Sequence, residues 1–183
     1  MTRGFDHYLL RQLQVQDLEN YFSLIERNRK RLEDFFAGTV AITRTLEDTR
    51  IHLEDVISKA AKKQYCPFIV EDEHTGRIIS SIQVKNFDWN VPKAELGYYI
   101  DEAYEGKGIV TKATALIIGY CFRELDLAKL FIRTHEANAG SRKVAEKNGF
   151  KLEGTIRKDY KTTSGRFVDL MYYGLLKEEY SGA

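Results

Sequence analysis

The sequence predicts an α/β domain built on one mixed sheet with helices packed against it. Apolar residues switch along the chain between a period of two and a period of about 3.6, the marks of strand and helix. Two β-rich runs, Phe68-Ile69-Val70 and Ile78 to Val84, flank the turn-like Glu73-His74-Thr75-Gly76 and pair as an antiparallel hairpin. Further on, a strand passes through a glycine loop straight into a helix, Tyr104-Glu105-Gly106-Lys107-Gly108 leading into Ile109. Strands and helices interleaved in this way give a sheet with helical layers on it.

Each element follows from its own pattern. Tyr8, Leu10 and Leu13, separated by polar residues, predict a first strand, and Leu18, Tyr21, Phe22 and Ile25 fall at i, i+3, i+4 and i+7 of a helix. Thr45-Leu46-Glu47-Asp48 has the character of a capping box, with Asp in place of the usual Glu. It opens a second helix whose Leu53, Val56, Ile57 and Ala60 share a face. After the hairpin and a polar turn from Asp88 to Pro92, the run Ala94 to Ile100 puts Leu96, Tyr98 and Ile100 on one face and Glu95, Gly97 and Tyr99 on the other. A carboxylate therefore sits in mid-strand. Ile109, Ala113, Leu116, Ile117 and Tyr120 continue the glycine loop as a helix, and Leu130 to Thr134 is the next strand. A helix containing Val144 and Ala145 stops at Asn148-Gly149, where glycine suits the left-handed cap. Two strands close the chain, one beginning near Phe150 and one from Phe167 to Leu176, joined by a turn at Thr163-Ser164-Gly165. The predicted order is β α α β β β α β α β β.

Composition bounds the function. With 28 Lys+Arg against 27 Asp+Glu in 183 residues, the chain lacks the basic excess of a protein that coats nucleic acid. A chain of this length forms one domain, here residues 1–183, and 43% hydrophobic residues supply its core. Cys66 and Cys121 stand in separate apolar segments with no C-x-x-C pair, which argues against a zinc ribbon or disulfide scaffold and fits a reducing cytoplasm. No apolar signal core opens the chain, and no run of about 18 apolar residues occurs, so neither export nor membrane spanning is expected.

The glycine loop carries the first chemical signal. Amide groups at a helix N-terminus, cleared of side chains by Gly106 and Gly108, form an anion site suited to phosphate. The loop lacks the G-K-[ST] of a Walker A motif, and Thr111 stands where a Rossmann fingerprint needs its third glycine. The plain alternative is a tight turn that needs glycine and binds nothing. Other candidates are weaker. His135 ends a strand beside Glu136, and His7, His52 and His74 are scattered, so no metal cluster is indicated. Cys121 shares the apolar stripe of Ile117 and reads as core. Tyr98-Tyr99 and Phe87-Asp88-Trp89 would wall a cleft or fill the sheet equally well, and Glu47, Asp48, Glu54 and Asp55 read as a solvated helix face.

Three segments taken together are more specific: the strand Glu95-Leu96-Gly97-Tyr98, the loop Tyr104 to Ile109, and Asn138-Ala139-Gly140-Ser141 running to Glu146-Lys147-Asn148-Gly149-Phe150. In this order and spacing they resemble the GNAT superfamily of acetyltransferases, and within it the RimJ/RimL branch. The resemblance covers nearly the whole chain. Members of that branch acetylate protein amino termini, notably of ribosomal proteins, while relatives act on other amines. The resemblance implies a sheet whose central parallel strands, here Glu95 to Ile100 and Leu130 to Thr134, splay apart to admit the pantetheine arm of acetyl-CoA. The family's loop pattern falls on Glu105-Gly106-Lys107-Gly108-Ile109-Val110, with an acidic first residue and a branched last one. Because main-chain amides hold the phosphate, the cradle tolerates both departures, provided Glu105 points outward. Lys107 and Lys112 would offset phosphate charge or remain simply solvated.

The resemblance also implies roles. Glu95 is the general base, directly or through water, or the group that orients the incoming ammonium; its alternative is an ordinary strand carboxylate. Ser141 hydrogen-bonds the departing CoA sulfur, where many relatives use a tyrosine; its alternative is helix capping. Asn138 anchors pantetheine or the arriving helix, Arg142 and Lys143 approach the CoA phosphates, and an amide between Leu96 and Tyr98 polarises the thioester carbonyl. An α-amine, with a pKa of about 7.7–8, needs a weaker base than a lysine at about 10.4, which favours an amino-terminal acceptor. The alternatives are a small amine such as a polyamine, amino sugar or amino acid, and a CoA-binding module without catalysis. A homodimer is expected from the resemblance, with no metal, nucleic acid or membrane partner.

Overall fold

The computed structural model describes residues 1–182, and one eight-stranded sheet runs through it in the order β1-β2-β3-β4-β5-β6-β8-β7. The first strand is one more than the apolar pattern predicts. β1 (Thr2–Phe5) pairs antiparallel with β2 (Tyr8–Gln12) around Asp6-His7, with Asp6 at φ 51°. Thr-Arg-Gly-Phe has no buried residue to pattern it and is held by ladder hydrogen bonds alone. α1 (Leu18–Phe35) buries Tyr21, Leu24, Ile25, Asn28 and Leu32. α2 (Ala37–Ile42) is a second addition to the predicted order: six residues with only Val40 buried are too few to display a helical period. α3 (Leu46–Ala61) opens on the predicted capping box, the Asp48 amide donating to Thr45 Oγ1 at 3.0 Å and the Thr45 amide to Asp48 Oδ2 at 3.1 Å.

β3 (Cys66–Asp72), β4 (Arg77–Asp88) and β5 (Lys93–Ile100) form an antiparallel meander. The glycine loop and α4 (Ile109–Arg123) then cross over to β6 (Lys129–His135), which lies parallel to β5. α5 (Ala139–Lys147) ends at Gly149, φ 82°. β7 (Lys151–Lys161) and β8 (Phe167–Leu176) form the final hairpin. β8 lies between β6 and β7, and Leu170 and Tyr173 are buried while Met171 and Tyr172 are half-buried.

The parity expected for β5 holds. Leu96 and Tyr98 join the core under α4 and α5, with Ala113, Ile117 and Phe122, whereas Tyr99 joins the core under α1 and α3, with Tyr21, Leu24 and Leu53. Parallel pairing of β5 with β6 is confined to Lys93↔Lys129, Ala94↔Leu130 and Glu95↔Phe131. Beyond Glu95 the strands diverge, because β5 stays bound to β4 and β6 to β8. The sheet is splayed there, and its facing edges share no ladder partner among the described residues.

Candidate active site

A cavity of about 210 Å³ opens at the divergence. Glu95 to Tyr98 line it from β5, Ile132 to His135 from β6, Asn138 and Ser141 from the start of α5, and Phe36 and Tyr160 from above. The roof is tied down: Tyr160 Oη accepts from the Ala37 amide at 2.6 Å, and Thr163 Oγ1 donates to the Glu33 carbonyl at 2.7 Å. The β7–β8 hairpin thus fastens the corner between α1 and α2 over the split.

Glu95 is 5% exposed, and its environment is polar. Oε2 accepts from Asn86 Nδ2 at 2.7 Å and from Arg133 Nη2 at 2.9 Å, while Lys85 Nζ lies 3.8 Å from Oε1. Asn86 reaches it because the β4–β5 register shifts between Lys85 and Asp88, where Asn86 takes a left-handed φ of 52°. A bulge beside a site turns a side chain that the regular ladder would aim away. Arg133 is held in turn, its Nη1 donating to Asp159 Oδ2 at 2.9 Å. Oε2 is therefore saturated by two donors, and Oε1 is the oxygen left for a ligand.

Ser141 meets the cavity from the other face. The N-cap of α5 is Asn138, whose Oδ1 accepts from the Ser141 amide at 3.0 Å, so the serine hydroxyl is not spent on capping. Tyr98 Oη donates to the Ser141 carbonyl at 2.9 Å, and Ser141 Oγ donates to Tyr98 Oη over a long 3.3 Å. Burial pushes the Tyr98 phenol well above its ordinary value, which keeps it neutral and a donor.

In the glycine loop, Gly106 and Gly108 have φ of 73° and 76°, and no atom lies within 4 Å of a Cβ added at either. Glycine is needed for backbone conformation, and the space beside it is open. Gly108 is the N-cap of α4, and the buried Ile109 and Val110 side chains anchor its first turn in the core. α1 holds the loop's approach: Arg27 Nε donates to Asp101 Oδ2 at 2.8 Å, Asn28 Oδ1 accepts from the Glu102 amide at 3.0 Å, and Arg31 pairs with Glu105. The Glu105 side chain is half-exposed. Lys112 is engaged by Asp6 at 2.7 Å, and Lys107 Nζ lies 4.9 Å from the centroid of the Tyr104 ring. Arg142, on α5, leaves a buried Nε without a hydrogen-bond partner. Unpaired strand edges, an open glycine cradle and an orphaned guanidinium N–H fit a long ligand with amides at one end and phosphates at the other.

The weaker candidates fall outside this arrangement or have other tasks. His135 lines the cavity, but its Nδ1 accepts from the Ala137 amide at 3.2 Å. His7 and His74 lie together, ring centroids 4.5 Å apart, between two distant turns. Cys121 is fully buried, and Trp89 stacks on Phe87 and donates to the Lys63 carbonyl. Glu47 and Glu54 pair with Arg50, and Asp55 with Lys59, as a solvated helix face does. Sequence reasoning missed Lys85, Asn86, Arg133 and Asp159 around Glu95. Arg133 left a signal, a cation directly after the apolar run Leu130-Phe131-Ile132; the others come together only through register.

A splayed parallel pair, an open glycine loop at the following helix and a carboxylate facing the gap suit an enzyme that passes an acyl group from a thioester carrier to a nucleophile. Residues 7–151 match the family model described as an acetyltransferase (GNAT) domain, and the chain belongs to the GNAT acetyltransferases. It is 35% identical, over 97% of its length and 95% of the relative's, to the Bacillus subtilis (strain 168) protein named "Putative ribosomal N-acetyltransferase YdaF". Over 61% of both chains it is 30% identical to the ribosomal-protein-serine acetyltransferase of Escherichia coli (strain K12). In fold it is similar to the ribosomal-protein-S5-alanine acetyltransferase of Vibrio fischeri, with a TM-score of 0.89 and 22% identity over 99% of each chain. It is an N-acetyltransferase that uses acetyl-CoA. No helix among the described residues is long and apolar enough to cross a membrane.

Proposed function

We propose that the acceptor is the N-terminal α-amine of a protein, a ribosomal protein foremost, and that Glu95 and Ser141 serve opposite ends of the transfer. One observation carries this reading: a buried carboxylate with one oxygen saturated and the other open to the cavity, across the split from a serine hydroxyl in a long, exchangeable hydrogen bond. Acetyl-CoA supplies the activated acetyl group. Leu96 to Tyr98 offer main-chain groups to the pantetheine arm and an amide to the thioester carbonyl; Gly106 to Val110 and Arg142 receive the phosphates. Glu95 Oε1 accepts a hydrogen bond from the entering ammonium and takes its proton, directly or through one water. An α-amine at about 7.7–8 suits a carboxylate base. Ser141 Oγ exchanges its bond to Tyr98 for one to the departing sulfur, where a hydrogen bond to developing charge is worth about 1.5–3 kcal/mol.

The 35% identical relative named for ribosomal N-acetylation supports the acceptor class. Asp34, exposed at the cavity rim, favours a second reading, since its carboxylate would suit the distant ammonium of a polyamine as well as a basic peptide. The test is release of CoA thiol against peptides with free or blocked amino termini and against small amines. Turnover confined to free peptide termini supports the proposal, and turnover with small amines alone overturns its acceptor. The reading includes a cytoplasmic location, in keeping with two free buried cysteines. It includes a homodimer, supported by the edge strand β7, where Leu152 and Ile156 are exposed; sedimentation as a monomer would remove it.

A further inference from the structure

The active site contains a primary amine of its own. Lys85 on β4 stands directly opposite Glu95 in the β4–β5 ladder and lines the same cavity as Gly97, Tyr98 and Ser141. Its Nζ lies 3.8 Å from Glu95 Oε1, beyond hydrogen-bond distance. Lys59 and Lys112 close on Asp55 and Asp6 at 2.6 and 2.7 Å; Lys93, like Lys85, stands off its carboxylate, at 3.7 Å from Asp88, but it lies outside the cavity. Nζ and Cε also lie 3.7 Å from the point a Cβ would occupy at Gly97, so the lysine tip crosses the bare stretch of β5 at the split. An amine loosely held beside the open oxygen of Glu95, where the strands part, stands as an acceptor would.

We propose that Lys85 is a self-acetylation site, Nζ taking the acetyl group of acetyl-CoA bound to the same chain when no acceptor is present. The inference rests on the reading of Glu95 as the acceptor-side base. Glu95 takes one proton from the ammonium and passes it to solvent. Nitrogen then forms a bond to the thioester carbonyl carbon, and the carbon–sulfur bond breaks. The second nitrogen proton goes to sulfur, so CoA leaves as the thiol and Nε-acetyl-lysine remains. The amide is neutral, removes a cation from Glu95 and fills acceptor space, so the modified chain turns over an external amine slowly.

Full-length chain incubated with acetyl-CoA and no acceptor is read by intact mass and peptide mapping. The expected result is one acetyl group per chain on Lys85, at a rate independent of protein concentration, faster at higher pH and suppressed by an acceptor amine. Lys85→Arg, which keeps a cation opposite Glu95, abolishes it. The proposal is overturned if a preparation that acetylates an external amine gains no acetyl group, or if label spreads evenly over exposed lysines such as Lys107 and Lys143. Label on Lys85 at the wild-type rate in Glu95→Gln keeps the site and removes Glu95 as its base. Loss of both activities in that variant, with CoA binding intact, supports both.

Discussion

On one face of β5 the group that meets the cavity is charged and held by charge: Glu95 between Asn86 and Arg133, with Lys85 alongside. On the other face the corresponding groups are neutral: Tyr98 and Ser141 hydrogen-bond each other within an apolar core, and burial raises the phenol. Strand alternation forces this separation, since residues 95 and 98 differ by an odd step and point to opposite faces. In an intact sheet the two groups would never share a space. Here the ladder ends at Glu95↔Phe131, and the gap beyond it joins the faces. On the proposed reading, the polar side takes a proton from the entering amine and the drier side meets the charge that appears on sulfur.

Substitutions that empty one face of β5 and spare the other are expected to differ in effect. Glu95→Gln keeps shape and removes basicity; steady-state kinetics are expected to give a kcat lower by about 10²–10⁴, with CoA affinity by calorimetry unchanged. Ser141→Ala is expected to cost about 10–100-fold in kcat, the value of one hydrogen bond to a developing anion. Tyr98→Phe follows with a smaller loss, because it leaves the serine in place. An unchanged kcat in Ser141→Ala would locate the thiol's partner elsewhere.

Gly108→Ala forces a side chain into the left-handed region at about 1–2 kcal/mol, so CoA titrations are expected to weaken about tenfold while kcat at saturation holds. Arg133→Ala leaves Glu95 and Asp159 without their shared cation. Because Arg133 is 29% exposed, denaturant melts are expected to show a loss of about 1–3 kcal/mol, below that of a fully buried pair. The smallest effect belongs to the thiols. Burial pushes Cys66 up to about 11, so thiol-alkylating reagents at neutral pH are expected to leave activity untouched. The same shift means that the unfolded chain ionises first as pH rises. Stability from this group is complete below about 9 and is lost as pH climbs through about 11, a decline that alkaline melting curves would follow.

Most of the scaffold was legible because burial leaves a period in the sequence. β5, β8 and the capped start of α3 lie where alternation, apolar runs and Thr45 with Asp48 put them. β1 and α2 were not, since one is wholly exposed or half-buried and the other buries a single valine, leaving no pattern to read. Within the site, Glu95 and the two glycines were legible from their own pattern, a carboxylate in mid-strand and a glycine pair before a helix, whereas Ser141 was legible only through the family resemblance, since a serine entering a helix is an ordinary cap.

The strand–loop–helix succession, the parity that divides Glu95 from Tyr98, and the left-handed turns that glycine adopts without strain at 106 and 108 are written in the local sequence. These are local properties, set by steric limits and by which face meets water. Tertiary structure alone decided that β5 and β6 part after three residue pairs, that a bulge at Asn86 and a salt bridge from Arg133 converge on one oxygen of Glu95, and that Lys85 lies beside the other. Such contacts join residues from separate strands, and register between strands is fixed only when the two cores on either side of the sheet are packed.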